Sequence, residues 1–189
     1  QLRPTRISLD VQRFAEGSTL IEMGDTKIIC SASIEERVPG WLKGQGKGWI
    51  TAEYSMLPRS TFTRNAREAS SGKVKGRHQE IQRLIGRALR AATDLSAVGE
   101  RTIFIDCDVI QADGGTRTAA ITGSYVALYQ ALNSLTQKRI YRRIPINFNV
   151  AAVSIGILDR KLLLDLSYEE DFRASVDFNI AMNEKGDLI

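Results

Sequence analysis

The sequence predicts an α+β fold, a β-rich sheet with helices layered on it, in a single domain spanning residues 1–189. Three observations carry this. Strand-like apolar runs occupy both ends of the chain, two central stretches repeat apolar residues at three- and four-residue steps, and no low-complexity linker separates them. A chain of 189 residues is long enough for one sizeable core and too short for a second full domain.

The first organised unit reads as a hairpin: STLIEM, a turn at Gly24 and Asp25, then TKIICSAS, with β-branched and apolar residues on both arms. After the glycine-spaced KGQGKGW, residues 50–57 read as another strand. A dinucleotide-binding loop needs a strand before such glycines and a helix after them, so this stretch reads as a basic loop instead. The polar, basic segment RSTFTRNAREASSGKVKGR has almost no large apolar residue and reads as exposed. From residue 77 to 95 the pattern is helical, with Ile81, Leu84, Ile85, Ala88, Leu89, Ala92 and Leu95 on one face. Arg83, Arg87 and Arg90 form a cationic stripe on another. The strand TIFIDCDVI follows Gly99 and leads through Gly114 and Gly115 into a second helix. Its apolar face is Ser124, Ala127, Leu128, Ala131, Leu132 and Leu135, and the basic link QKRIYRR ends it. Two further strands, NVAAVSIGIL and KLLLDLSY, meet at Asp159 and Arg160. The acidic YEEDFRASVD and a last strand-like run, FNIAMN, complete the chain.

Composition and charge narrow the function classes. No apolar run approaches a membrane span and the first residues hold no signal core, so a cytoplasmic protein is expected, with no membrane partner. Cys30 and Cys107 sit alone in strand-like runs and read as reduced core residues. The formal net charge is +4, yet residues 43–101 hold twelve Lys and Arg against five Asp and Glu, leaving the remainder mildly acidic. That asymmetry points to a polyanionic partner such as nucleic acid, and solvated helix faces would also produce part of it.

The stretch QADGGTRTAAITG carries the most specific chemistry. A helix N-terminus offers unpaired N–H groups and the positive end of the macrodipole, which suit phosphate. Gly114 and Gly115 allow close backbone approach, Thr116 and Thr118 offer hydroxyls, and Arg117 supplies a fork matched to phosphate oxygens. A capped helix with Arg117 in a salt bridge would show the same pattern. Arg77 opens the other helix just after Gly76. If the two helices lie side by side, both arginines converge on one anion. Asp171 and Asp177 are candidate carboxylate ligands for a divalent cation that leaves positions for water and substrate phosphates, although solvated loop carboxylates would look the same. The single histidine, His78, lies among basic residues with no orienting acid and is expected on the helix surface. The sequence therefore favours chemistry in which cations position phosphates, without a side-chain nucleophile.

Several ordered blocks together resemble the ribonuclease PH family, the phosphate-dependent 3′-exoribonucleases related to the cores of polynucleotide phosphorylase and the exosome ring. They are AEGSTLIEMGDTKIICSASIEE, LKGQGKGWITAEYSMLPRSTFTRNAREA, GRHQEIQRLIGRALRAATDL, DCDVIQADGGTRTAAITG and VAAVSIGI with the acidic segment after it. The resemblance implies a βαβ-type sheet with helices. It also implies phosphorolytic release of nucleoside diphosphates from RNA 3′ ends, with transfer RNA precursors as substrates. In such proteins inorganic phosphate is bound by the residues matching Arg77, Gly115, Thr116 and Arg117. The positions of Asp171 and Asp177 are associated with magnesium, manganese being the other candidate. The positions of Arg59, Arg64 and Arg67 lie where RNA approaches and where subunits of a homo-hexamer, a trimer of dimers, meet. Catalysis is thereby assigned to Arg77, Arg117, Asp171 and Asp177. The alternative within the same resemblance is a catalytically inactive, RNA-binding ring subunit of exosome type. Three departures stand out: His78 replaces a usual threonine, Phe172 and Arg173 replace small residues, and the family's terminal helix beyond GDLI is absent, which is expected to leave part of the sheet uncovered.

Overall fold

The structure is a computed structural model and describes residues 2–67, 70, 72 and 76–189. Lys73 and Lys75, part of the basic loop read from the sequence, lie outside the described residues.

The expected hairpin forms: β2 (Gly17–Met23) and β3 (Thr26–Glu35) pair antiparallel in the register Ile21↔Ile28. Strand β1 (Thr5–Leu9) joins the free edge of β2. The sequence reading did not assign it, because TRISL is too short and too polar to show a period of two. On the other side β3 pairs antiparallel with β5 (Thr102–Gln111), and β5 pairs in parallel with β4 (Trp49–Met56), giving the order β1-β2-β3-β5-β4. A parallel pair needs a crossover, and helix α1 (Gly76–Ala92) with the short α2 (Leu95–Val98) supplies it. This is the βαβ unit that the resemblance implies.

Inward positions of the five strands are apolar and buried, among them Ile21, Ile28, Ile50, Ile103, Ile105 and Val109. Cys30 and Cys107 are register partners in this layer, both buried and both free thiols, as the sequence reading expects. Burial and the neighbouring Cys30 push the Cys107 thiol well up.

Helix α3 (Thr116–Gln137) packs on β2, β3 and β5 on one side and on β6 (Ala151–Leu158) and β8 (Val176–Met182) on another. Burial on two sides explains why Ala119, Ala120, Ile121 and Gly123 are covered as well as the single apolar face read from the sequence. Helix α1 has one buried face, on β4, and touches α3 with it. Its cationic stripe is split rather than continuous. Arg83 and Arg87 are exposed, whereas the Arg90 guanidinium lies 4.4 Å from the Trp49 ring centroid and donates to the Ile50 carbonyl at 2.8 Å.

The remaining strands form a separate sheet, β7-β6-β8, with β7 at Lys161–Leu164. Within YEEDFRASVD a one-and-a-half-turn helix forms, α4 (Tyr168–Arg173), started by a capping box between Ser167 and Glu170. One face of this small sheet aligns Ile157 with Leu162 and Val176, and Ile155 with Leu164 and Phe178. Leu162 is 75% and Phe178 59% exposed, so this apolar face is open. No helix among the described residues is long and apolar enough to cross a membrane.

Candidate active site

The turn between β5 and α3 has to reverse direction within four residues, and it does so through two consecutive left-handed glycines, Gly114 (φ 72°) and Gly115 (φ 63°). A side chain at Gly114 would meet the Leu166 carbonyl oxygen at 2.4 Å, so the turn is pressed against the segment leading into α4. Gly115 is the residue before the first turn of α3 and has no side chain with which to cap it. Ala119 N–H is the first to find an intrahelical acceptor, the Gly115 carbonyl at 2.9 Å. The N–H groups of Thr116, Arg117 and Thr118 therefore sit at the positive end of a 22-residue helix, where an anion is favoured.

In front of this turn lies a cavity of about 420 Å³. Arg77, Gly115, Thr116, Arg117, Asp171 and Asp177 all line it. Residues from four separate elements thus meet: the first turns of α1 and α3, helix α4 and strand β8. The convergence of the two arginines, which the sequence made conditional on side-by-side helices, is present in the fold.

Each cationic group has a definable state. Arg117 Nη2 donates to Glu80 Oε2 at 2.8 Å, so the salt bridge and the cavity lining occur together rather than as alternatives. Arg117 Nε is buried and finds no hydrogen-bond partner among the described residues, an unmet donor on a cavity-lining side chain. Asp171 is held above the ordinary carboxylate range, first by partial burial and then by the neighbouring Asp177, while Arg77 and Arg117 pull it back down. Two acids and two bases thus feel one another across the cavity. Among the described residues no group of three or more His, Cys, Asp or Glu side chains gathers to enclose a metal. Two facing carboxylates fit magnesium, which keeps several waters and shares substrate phosphates; they do not form an all-protein cage.

The threonines divide. Thr116 is buried at the cavity wall, and its Oγ1 accepts from the Tyr54 hydroxyl at 3.0 Å, leaving its own proton free to be donated. Burial pushes the Tyr54 phenol up, so it remains a donor. Thr118, read from the sequence as a second phosphate donor, is instead fully buried and donates to the Gly115 carbonyl at 2.9 Å. It shapes the turn.

His78 also departs from expectation. It is 5% exposed and stands edge-on to Tyr54, ring centroids 5.4 Å apart, because α1 turns this position onto β4. Tyr54 is consequently clasped between His78 of one helix and Thr116 of the other. Arg59, Arg64 and Arg67 are exposed and do not line the cavity; their loop contributes Thr61, Phe62 and Thr63 instead. The sequence reading missed Tyr54, Glu80 and Tyr168. Glu80 was legible in principle as the only acid between Arg77 and Arg90, whereas Tyr54 reads as an ordinary strand residue.

The profile of the 3′ exoribonuclease family, domain 1, matches residues 1–132, and that of the same family's domain 2 matches residues 149–189. Proteins named ribonuclease PH from two strains of Dehalococcoides mccartyi are 57% identical over 189 residues, which is all of this chain and 78% of theirs. Among solved structures, rice Rrp46 aligns with a TM-score of 0.80 at 19% identity, covering 100% of this chain and 80% of that one. An Archaeoglobus fulgidus exosome with RNA bound to the active site aligns with a TM-score of 0.82 at 21% identity, covering 100% and 76%. At such identities these two likenesses concern the fold.

Proposed function

Because the chain belongs to the ribonuclease PH family of 3′ exoribonucleases and is a phosphate-dependent enzyme of that kind, we propose the following division of labour among its residues. Inorganic phosphate occupies the cavity against the α3 N-terminus. Arg77 and Arg117 supply charge from two sides, Thr116 donates its hydroxyl proton, and Gly115 keeps the backbone out of the way. One phosphate oxygen attacks the phosphorus of the last phosphodiester. A P–O–P bond forms as the bond from that phosphorus to the 3′ oxygen of the preceding nucleotide breaks. That oxygen leaves as a hydroxyl, taking its proton from the attacking hydrogen phosphate, and a nucleoside diphosphate is released. Two polyanions have to be brought into contact, so the charge concentrated here lowers the barrier without a general base. Asp171 and Asp177 would hold magnesium or manganese, which offsets charge on the transferring group.

Arg59, Arg64 and Arg67, exposed on the loop that also lines the cavity, guide the RNA strand. Precursor transfer RNA 3′ ends are the substrates we assign, and a homo-hexamer built as a trimer of dimers is the assembly. The chain acts as one unit, since α3 packs on both sheets.

The observation that carries this reading is the presence of Arg77 and Arg117 on one cavity in front of an uncapped helix N-terminus. Incubating the protein with a short 3′-tailed RNA, with and without phosphate, tests it. Nucleoside diphosphates are expected only with phosphate. Monophosphates would mean hydrolysis, and no product would leave an RNA-binding ring subunit.

A further inference from the structure

Arg3 belongs to no motif and does not line the cavity, yet it ties together the two segments that flank it. Its N–H donates to Asp165 Oδ2 at 2.9 Å and its Nη2 to Asp165 Oδ1 at 2.6 Å. Its Nη1 donates to the Asp113 carbonyl and lies 3.4 Å from Asp113 Oδ2. Asp113 immediately precedes the glycine turn, and Asp165 stands between β7 and α4, six residues ahead of Asp171. The circuit closes because Asp113 Oδ1 accepts the Tyr168 N–H at 3.0 Å, in the first turn of α4. Thr26 completes the support of the turn, accepting from Asp113 N–H at 2.9 Å and donating to the Gly114 carbonyl at 2.6 Å.

Burial makes this arrangement consequential. The Asp165 side chain is fully buried, in a left-handed backbone conformation (φ 63°), and the Arg3 side chain is 15% exposed. A charge so placed needs its partner, and removing one side leaves the other costly to keep. The guanidinium also sits directly under the turn: a side chain at Gly115 would come within 3.3 Å of Arg3 Nη2. A planar fork can hold two carboxylates at a fixed separation, which a lysine ammonium cannot.

We propose that Arg3 is a positioning residue for the anion site: by bridging Asp113 and Asp165 it sets the distance between the Gly114–Gly115 turn and the helix that carries Asp171. This rests on the phosphate reading given above. It acts through the turn and touches no reacting atom.

The test compares Arg3→Lys, Asp165→Asn and Arg117→Ala in the full chain. It measures KM for phosphate and for RNA separately, with thermal melting and amide exchange at residues 114–117. In Arg3→Lys the KM for phosphate is expected to rise about tenfold while the KM for RNA changes less than about twofold, since a misplaced cradle weakens one ligand only. Exchange at residues 114–117 should quicken even with no phosphate present. Asp165→Asn reads the same direction should the lysine variant not fold. An unchanged phosphate KM in a folded variant, or equal rises in both KM values that merely follow a lower melting temperature, overturns the proposal. If Arg117→Ala leaves the phosphate KM untouched, the phosphate reading falls. The exchange data then still decide whether Arg3 fixes the turn.

Discussion

Arg117 divides its guanidinium between Glu80, which anchors Nη2, and the cavity, onto which its buried Nε brings an unpartnered donor. Replacing it with alanine removes a charge aimed at the developing anion and should lower phosphate-dependent turnover by about 10²-fold or more. RNA affinity should stay within about twofold, measured by filter binding, because the strand is held elsewhere; parallel loss of both would count against the assigned role. Tyr54 has the subtler part. Its hydroxyl orients Thr116 and its ring packs on His78, so Tyr54→Phe should cost about 1 kcal/mol, lowering the melting midpoint by about 2–4 °C. It should also weaken phosphate binding modestly as the Thr116 hydroxyl becomes free to rotate. A midpoint unchanged by calorimetry would mean that the hydrogen bond contributes nothing.

At the level of elements, β4 and β5 show a local cost in an otherwise well-matched pair. Glu53 and Asp106 are register partners on the outer face of the sheet, and Asp108 lies two residues along. Burial, then these two carboxylates, raise Asp106 above the ordinary carboxylate range. The folded chain binds that proton more tightly than the unfolded chain does, so this site favours folding most at low pH. The advantage is lost as pH rises from the ordinary carboxylate value through the raised one. Asp106→Asn removes the repulsion, and its melting midpoint at pH 7 is expected to be about 1–3 °C higher, with no gain at pH 3 where both chains are neutral there. A gain that persists at pH 3 would point to packing instead of charge. Helices α1 and α3 illustrate a different balance. The first buries one stripe and kept its three-and-four periodicity, and the second is wrapped by two sheets, so its pattern blurs.

For the whole molecule the basic middle of the chain acts through the long-range field. Arg59, Arg64 and Arg67 are exposed, outside the cavity and on a loop that reaches it. Changing all three to alanine should weaken RNA binding and flatten the slope of log affinity against log salt by about 2, one unit or slightly less per lost phosphate contact. An unchanged slope would take them off the RNA path. The open apolar face of the small sheet works at the same scale, since Leu162, Val176 and Phe178 present a contiguous surface suited to a covering segment or to another chain.

Much of this was legible from residue order because it depends on local rules. Alternation marks the hairpin, periodicity marks α1, and two glycines before Thr-Arg-Thr mark a turn and an uncapped helix start. The blocks that resemble the family identified the chemistry. What residue order left undetermined depends on distance in space. It could not say that Arg77 and Arg117 share one cavity, that Thr118 turns inward, that His78 is buried, or that Arg3 bridges two carboxylates far along the chain. Such contacts arise only when α3 is pressed between two sheets. The energy of a side chain then depends on what has been brought beside it, and no neighbour in the sequence reports that.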